Sequence, residues 1–198
     1  METVKSMTKF SLVKELNAVP NLSKSVRDKI IKNVINDQSI FQSLIEIAFD
    51  YNNEISIKAC SILETTCEKR IDWLAFNLNY FIENLYKVKD ESAIRSLAKI
   101  CNLMMQDYDS KFDSPIKLII TNDQVSQLIE TNFDWLLSNH KVSIKADAME
   151  ALYYLGNKIS WIHYELKMIL EKNLDDESPG YVSRAKKILE AISKNQAA

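Results

Sequence analysis

The chain has 198 residues, 46% hydrophobic and 26% charged, with 25 Lys and Arg against 27 Asp and Glu for a net charge of −2. That balance is ordinary for a folded soluble protein; it argues against a disordered chain and against the global positive field behind non-specific nucleic-acid binding. Two glycines and three prolines exclude more, because tight hairpins and phosphate-cradling loops draw on glycine, and a helical protein is what remains.

The N-terminal run Met1-Glu2-Thr3-Val4-Lys5-Ser6-Met7-Thr8-Lys9-Phe10 has no apolar signal core, and no later segment reaches the ~20 uninterrupted apolar residues of a membrane span. The first predicted helix carries Phe10, Leu12, Val13, Leu16 and Val19 and stops at Pro20. The second carries Val26, Ile30, Ile31, Val34 and Ile35. Asp37 caps a third, with Ile40, Phe41, Leu44, Ile45 and Phe49 on one face, and Ile55, Ile57, Ala59, Cys60, Ile62 and Leu63 mark the fourth. Asp72 is placed to cap a helix over 73–85, and Asp90 one over 93–105.

The stretch 107–115 reads as a loop. Beyond it, Thr121 with Gln124 forms a capping-box pattern before a helix over 125–137. Ser143 opens a helix through Leu155 that Gly156 terminates, Ser160 opens another, and Ser178-Pro179, an N-cap followed by proline, opens the last. Strand-like alternation is missing at any useful length. Cys60, Cys67 and Cys101 lie inside these apolar stripes and read as reduced, buried thiols of a cytoplasmic protein rather than as a redox pair.

The helices recur in pairs. Ile71-Asp72-Trp73-Leu74-Ala75-Phe76-Asn77-Leu78 matches Ile159-Ser160-Trp161-Ile162-His163-Tyr164-Glu165-Leu166, and the match continues through Phe81/Ile169, Ile82/Leu170 and Glu83/Glu171. The second helix of each pair opens on a small, an apolar and a basic residue: Ser25-Val26-Arg27, Ser56-Ile57-Lys58, Ala93-Ile94-Arg95, Ser143-Ile144-Lys145 and, more loosely, Val182-Ser183-Arg184. Their spacing lies near the ~40-residue period of HEAT and armadillo units, apart from the interval holding the insert.

These openings resemble the valine-arginine start of the second HEAT helix. The resemblance implies a right-handed α-solenoid of about five helical hairpins, an armadillo-type superhelix, with approximate repeats at 8–36, 38–69, 71–107, 121–157 and 159–194 and an inserted loop at 108–120 in a single domain. The family's acidic partner in the turn is matched only by Asp90; Asn53, His140 and Pro179 stand in the corresponding places of the other repeats, so the family's acid-base ladder between repeats is not expected. The closing run Tyr181-Val182-Ser183-Arg184-Ala185-Lys186-Lys187-Ile188-Leu189 also looks like the end of short bacterial helical-repeat proteins often named adenylosuccinate lyase. Nothing in the chain matches that lyase's glycine- and serine-containing signature loop.

Candidate functional residues are few. His140 and His163 are not at metal-ligand spacing from each other or from a cysteine, and no G-x-S-x-G elbow or phosphate loop surrounds the isolated Gly156 and Gly180. No catalytic, metal or cofactor site is expected, and His163 reads as solvated or singly hydrogen-bonded. Trp73 and Trp161, at matching repeat positions, read as a shared packing feature, with Trp135 beside Asp134 less constrained. Arg27, Lys58, Arg95, Lys145 and Arg184 would form one row if the repeats superpose, a ridge able to attract acidic peptide or nucleic acid. The simpler expectation lays each stem along its own helix with the charge in water.

Three functions are open on this basis. The first is a non-catalytic scaffold binding a protein or peptide partner, with no membrane role. The second is a DNA-binding repair protein like the HEAT-like alkylpurine DNA glycosylases, with Asp134, Trp135 and Arg95 first to test, which the net charge disfavours. The third is a small-molecule lyase, which needs a deep pocket with converging polar groups.

Overall fold

The protein, seen in a computed structural model, is described over residues 8–18 and 23–196. The expected stop at Val19 and Pro20, and the N-terminal run through Met7, lie outside those residues. Among the described residues the structure is helical throughout, without a strand. Contacts gather into two compact units, Met1–Leu97 and Ala98–Ala198.

The first unit holds α1 (Lys9–Asn17), α2 (Lys24–Asn36), α3 (Ser39–Ala48), α4 (Ile55–Arg70), a 3-10 stretch (Ile71–Asn77), α5 (Leu78–Asn84) and the start of α6 (Glu91–Asp109). α4 packs against α1, α2 and α3. A helix with neighbours on several sides needs apolar residues around its circumference rather than along one stripe. α4 meets that need with Ile55, Ala59, Cys60, Ile62, Leu63 and Cys67, all buried. Each fully buried large aliphatic side chain contributes about 1.5–3 kcal/mol. The polar members are satisfied locally: Thr66 donates to the Ile62 carbonyl at 2.8 Å and the Cys60 thiol to that of Ala48 at 3.4 Å.

In the second unit, the end of α6 is followed by α7 (Pro115–Ile119), α8 (Asn122–Leu137), α9 (Val142–Gly156), α10 (Ser160–Asn173) and α11 (Pro179–Gln196). Here α9 is the central helix, packed against α8, α10 and α11. Its Ile144, Ala148, Met149, Ala151, Leu152 and Leu155 are completely buried. Small residues at 148 and 151 leave room for the flanking helices to approach.

Most helix starts form as their local chemistry dictates. Asp90 Oδ1 accepts from the Ser92 and Ala93 amides at 2.8 and 2.9 Å, and Asp37 Oδ1 accepts from the Ser39 amide and hydroxyl. Thr121 and Gln124 make the reciprocal capping box, and Ser178 receives the Tyr181 amide at 3.5 Å. A second capping box, Thr8 with Ser11, opens α1.

Three starts differ. Asp72 caps nothing, because its carboxylate is taken by a two-pronged pair with Arg70 at 2.9 and 2.7 Å. Its segment leaves α4 directly as a 3-10 stretch. Ser143 lies inside α9, which begins at Val142, and Ser160 is the first residue of α10 rather than its cap. The 107–115 stretch is ordered by side chains: α6 runs on to Asp109, Ser114 caps α7, and the Lys117 ammonium donates to the Ser110 and Phe112 carbonyls.

Gly156 closes α9 as expected, but without a left-handed turn, since no described residue has positive φ. What requires glycine is a close approach: a Cβ there would sit 2.0 Å from His163 Cδ2. The imidazole is buried on this bare backbone, donates from Nε2 to the Tyr153 carbonyl at 2.9 Å, and lies nearly parallel to the Tyr153 ring, 22° off, with centroids 5.4 Å apart. The expected single hydrogen bond of His163 is present, and the ring is a core group locking α9 to α10.

Candidate interaction surface

The five basic residues that open the second helices do not stand free in solvent. Arg95 on α6 forks onto Glu64 of α4, with its two terminal nitrogens 3.3 and 2.9 Å from the two carboxylate oxygens, and the buried Ser96 hydroxyl donates to the same carboxylate at 2.7 Å. Lys145 on α9 pairs with Glu177 at 2.5 Å, its ammonium also 5.6 Å from the Tyr181 ring. Arg184 on α11 pairs with Glu150 of α9. Lys58 donates to the Leu16 carbonyl at 3.0 Å, neutralising the C-terminal end of α1 where helix carbonyls lack partners. Arg27 is half-buried, and its Nε is shielded without a hydrogen-bond partner among the described residues.

Acid-base pairs between successive repeats therefore form against the expectation from the turn residues, and two of the three acids lie outside the turns. Glu64 and Glu150 sit on the preceding second helix, about a turn and a half past its basic residue, and Glu177 sits before α11. A further strand of the network joins α6 to α9 inside the second unit. Asn102 donates to Asp147 at 2.8 Å and to Glu150 at 2.6 Å, and Lys99 lies 3.7 Å from Asp147. Partly exposed pairs like these contribute about 0.2–1 kcal/mol each, more where a buried neutral group such as the Ser96 hydroxyl shares the carboxylate. Their electrostatic consequence is larger than their stability: a cation held by a carboxylate presents little positive field to a polyanion.

The tryptophans divide differently from the sequence expectation. Trp73 is 3% exposed, edge-on to Phe41 with centroids 5.6 Å apart and with Arg70 over its face at 4.5 Å. Trp161, its counterpart in the repeat, is 52% exposed and stacks on Phe133 of α8, 16° from parallel with centroids 6.3 Å apart. The shared packing role therefore fails. The neighbours differ rather than the position: Trp73 is covered by Phe41 of α3 and by Arg70, whereas Trp161 lies against Phe133 of α8 with half its surface in solvent. Trp135 is 7% exposed and belongs to the core of α8, while its neighbour Asp134 is exposed. The trio considered for DNA repair is thus split by environment: Arg95 bound by Glu64, Trp135 in the core, Asp134 in solvent.

Chemistry-bearing clusters are few in the rest of the chain. All three cysteines are buried and none forms a disulfide; burial pushes Cys60 up to about 12, with Asp90 and Glu64 adding to it, and drives Cys67 up as well. Among the described residues no group of three or more His, Cys, Asp or Glu side chains is arranged to hold a metal. Among those residues no helix is long and apolar enough to cross a membrane. A surface depression of about 490 Å³ is lined by Lys9, Glu46, Phe49, Asp50, Asn53 and Tyr80, but its one ammonium is paired with Glu46 at 2.5 Å.

What the sequence reading missed is the exposed apolar face of the first helices. Phe76 and Tyr80 in the first unit, and Tyr164 and Met168 in the second, hold matching repeat positions and are all exposed. The aligned strings carried that signal, since both copies place a large apolar residue where the helix face turns outward.

The HEAT repeat domain family matches residues 16–192, whereas no curated protein and no solved structure matches the chain. Helix pairs in series, a basic residue opening each second helix and a match over most of the sequence lead to one assignment: the chain belongs to the HEAT repeat family.

Proposed function

We propose that the protein is a non-catalytic scaffold that binds a protein or peptide partner. The observation that supports this best is the contrast between its two kinds of surface. Basic residues that open the second helices are engaged internally, with Arg95, Lys145 and Arg184 each held by a carboxylate. Large apolar side chains stay in water at repeated positions on the first helices, and exposed apolar patches of that kind mark protein interaction sites. Affinity capture after cross-linking in native cells is expected to return a stoichiometric protein partner whose retention survives nuclease treatment. Capture of no partner, together with measured turnover of a metabolite, would overturn the scaffold reading.

A further inference from the structure

We infer that the outward faces of α8 and α10 dock a basic amphipathic helix of a partner protein; this rests on the scaffold reading and gives it a surface. Trp161, Tyr164 and Met168 recur at i, i+3 and i+7 along α10 and so share one face. They are 52%, 64% and 52% exposed. Phe133 of α8 stacks on Trp161, and Leu137, one turn further along α8, is exposed too. The result is an apolar strip about 10 Å long, enough for two turns of a facing helix.

Its charge surroundings choose the occupant. α8 carries Asp123, Glu130 and Asp134, all exposed, and has no Lys or Arg. α10 adds Glu165 and Glu171 against Lys167 and Lys172, and Lys167 is already within 3.9 Å of Glu171. An apolar strip bordered by net negative charge repels nucleic acid, acidic peptides and anionic lipid. It fits a helix with leucine-like residues on one side and Lys or Arg beside them.

The test uses the full chain and two synthetic helical peptides of about 18 residues, one of Leu and Lys and one of Leu and Glu in the same pattern. Trp73 and Trp135 are buried, so a blue shift in emission reports on Trp161. The Leu/Lys peptide is expected to bind with that shift, and the Leu/Glu peptide at least about tenfold more weakly. Y164S/M168S is expected to cost about tenfold or more, and E130Q/D134N/E165Q a similar loss with a flatter salt dependence. All five positions are exposed, so circular dichroism should stay unchanged.

Equal binding of the two peptides, or binding unchanged in Y164S/M168S, would overturn the proposal. So would a dimer of the free protein that Y164S/M168S abolishes, or a preference for vesicles of anionic lipid over the Leu/Lys peptide. A captured protein partner that binds Y164S/M168S as well as wild type would remove this surface and leave the scaffold reading intact; capture of no partner by wild type would remove both.

Discussion

Gly156→Ala should destabilise the protein, although the same change in most helix interiors does the opposite. Gly156 has no positive φ, so alanine fits the backbone there and should gain about 0.4–1 kcal/mol by restricting the unfolded chain and favouring helix. Against that gain stands the imidazole of His163, whose Cδ2 would lie 2.0 Å from the new methyl and whose Nε2 would lie 2.4 Å from it. Relief requires the ring to move, which breaks its bond to the Tyr153 carbonyl and its stack on the Tyr153 ring. Overpacking costs about 1–3 kcal/mol and a buried group left unpaired about 1–3 kcal/mol more. The net expectation is a loss of about 2–4 kcal/mol. His163→Ala, measured by the same urea unfolding followed by circular dichroism, removes the obstacle, so Gly156→Ala added to it should turn neutral or stabilising. Equal effects of Gly156→Ala in the two backgrounds, or stabilisation of the wild type, would refute the close-approach account of this glycine.

The ladder gives an ordering: Glu64→Ala should cost about 2 kcal/mol and Arg95→Ala about 1 kcal/mol, because only the first strips the buried Ser96 hydroxyl of its acceptor. Equal costs in denaturant titrations would contradict that. The thiols set a pH dependence. Burial raises Cys60 from 9.0 to about 12, so the stability from keeping it neutral is present below about pH 9 and lost as pH rises toward about 12. Urea midpoints should fall between about pH 8 and about pH 10.5, less so in Cys60→Ala, and a disulfide reagent should label no native thiol at about pH 8 before unfolding. Iodide should quench one tryptophan fraction, and Trp161→Phe should abolish it; a quenchable fraction left in Trp161→Phe would contradict the burial of Trp73 and Trp135.

Local chemistry was the most legible part of the sequence. The Thr121/Gln124 box, Asp90 and Ser178-Pro179 act within a few residues of themselves, so reading them needs no knowledge of tertiary structure. Asp72 shows the limit: its expected role was local too, but Arg70 two residues earlier competes for the carboxylate and wins with two charge-assisted bonds. The ladder was half legible. Its basic members recur visibly, but Glu64, Glu150 and Glu177 become partners only through the register of packed helices. Trp161 departs from the expectation because matching positions were given matching neighbours, and the Phe41 that covers Trp73 comes from another helix that the aligned segments do not contain. Gly156 was placed at the right boundary for the wrong reason, since an imidazole arriving from another helix leaves no mark beside the glycine in the sequence.

Arg95, Lys145 and Arg184, at the starts of the second helices, are held by the protein's own carboxylates within each unit. Fluorescence anisotropy of a labelled DNA duplex, titrated with wild type and with E64Q/E150Q/E177Q across a salt series, tests this directly. The prediction is no salt-sensitive binding by wild type and its emergence in the triple variant, where Arg95, Lys145 and Arg184 are released. Steeply salt-dependent binding by wild type, unchanged in the variant, would contradict it.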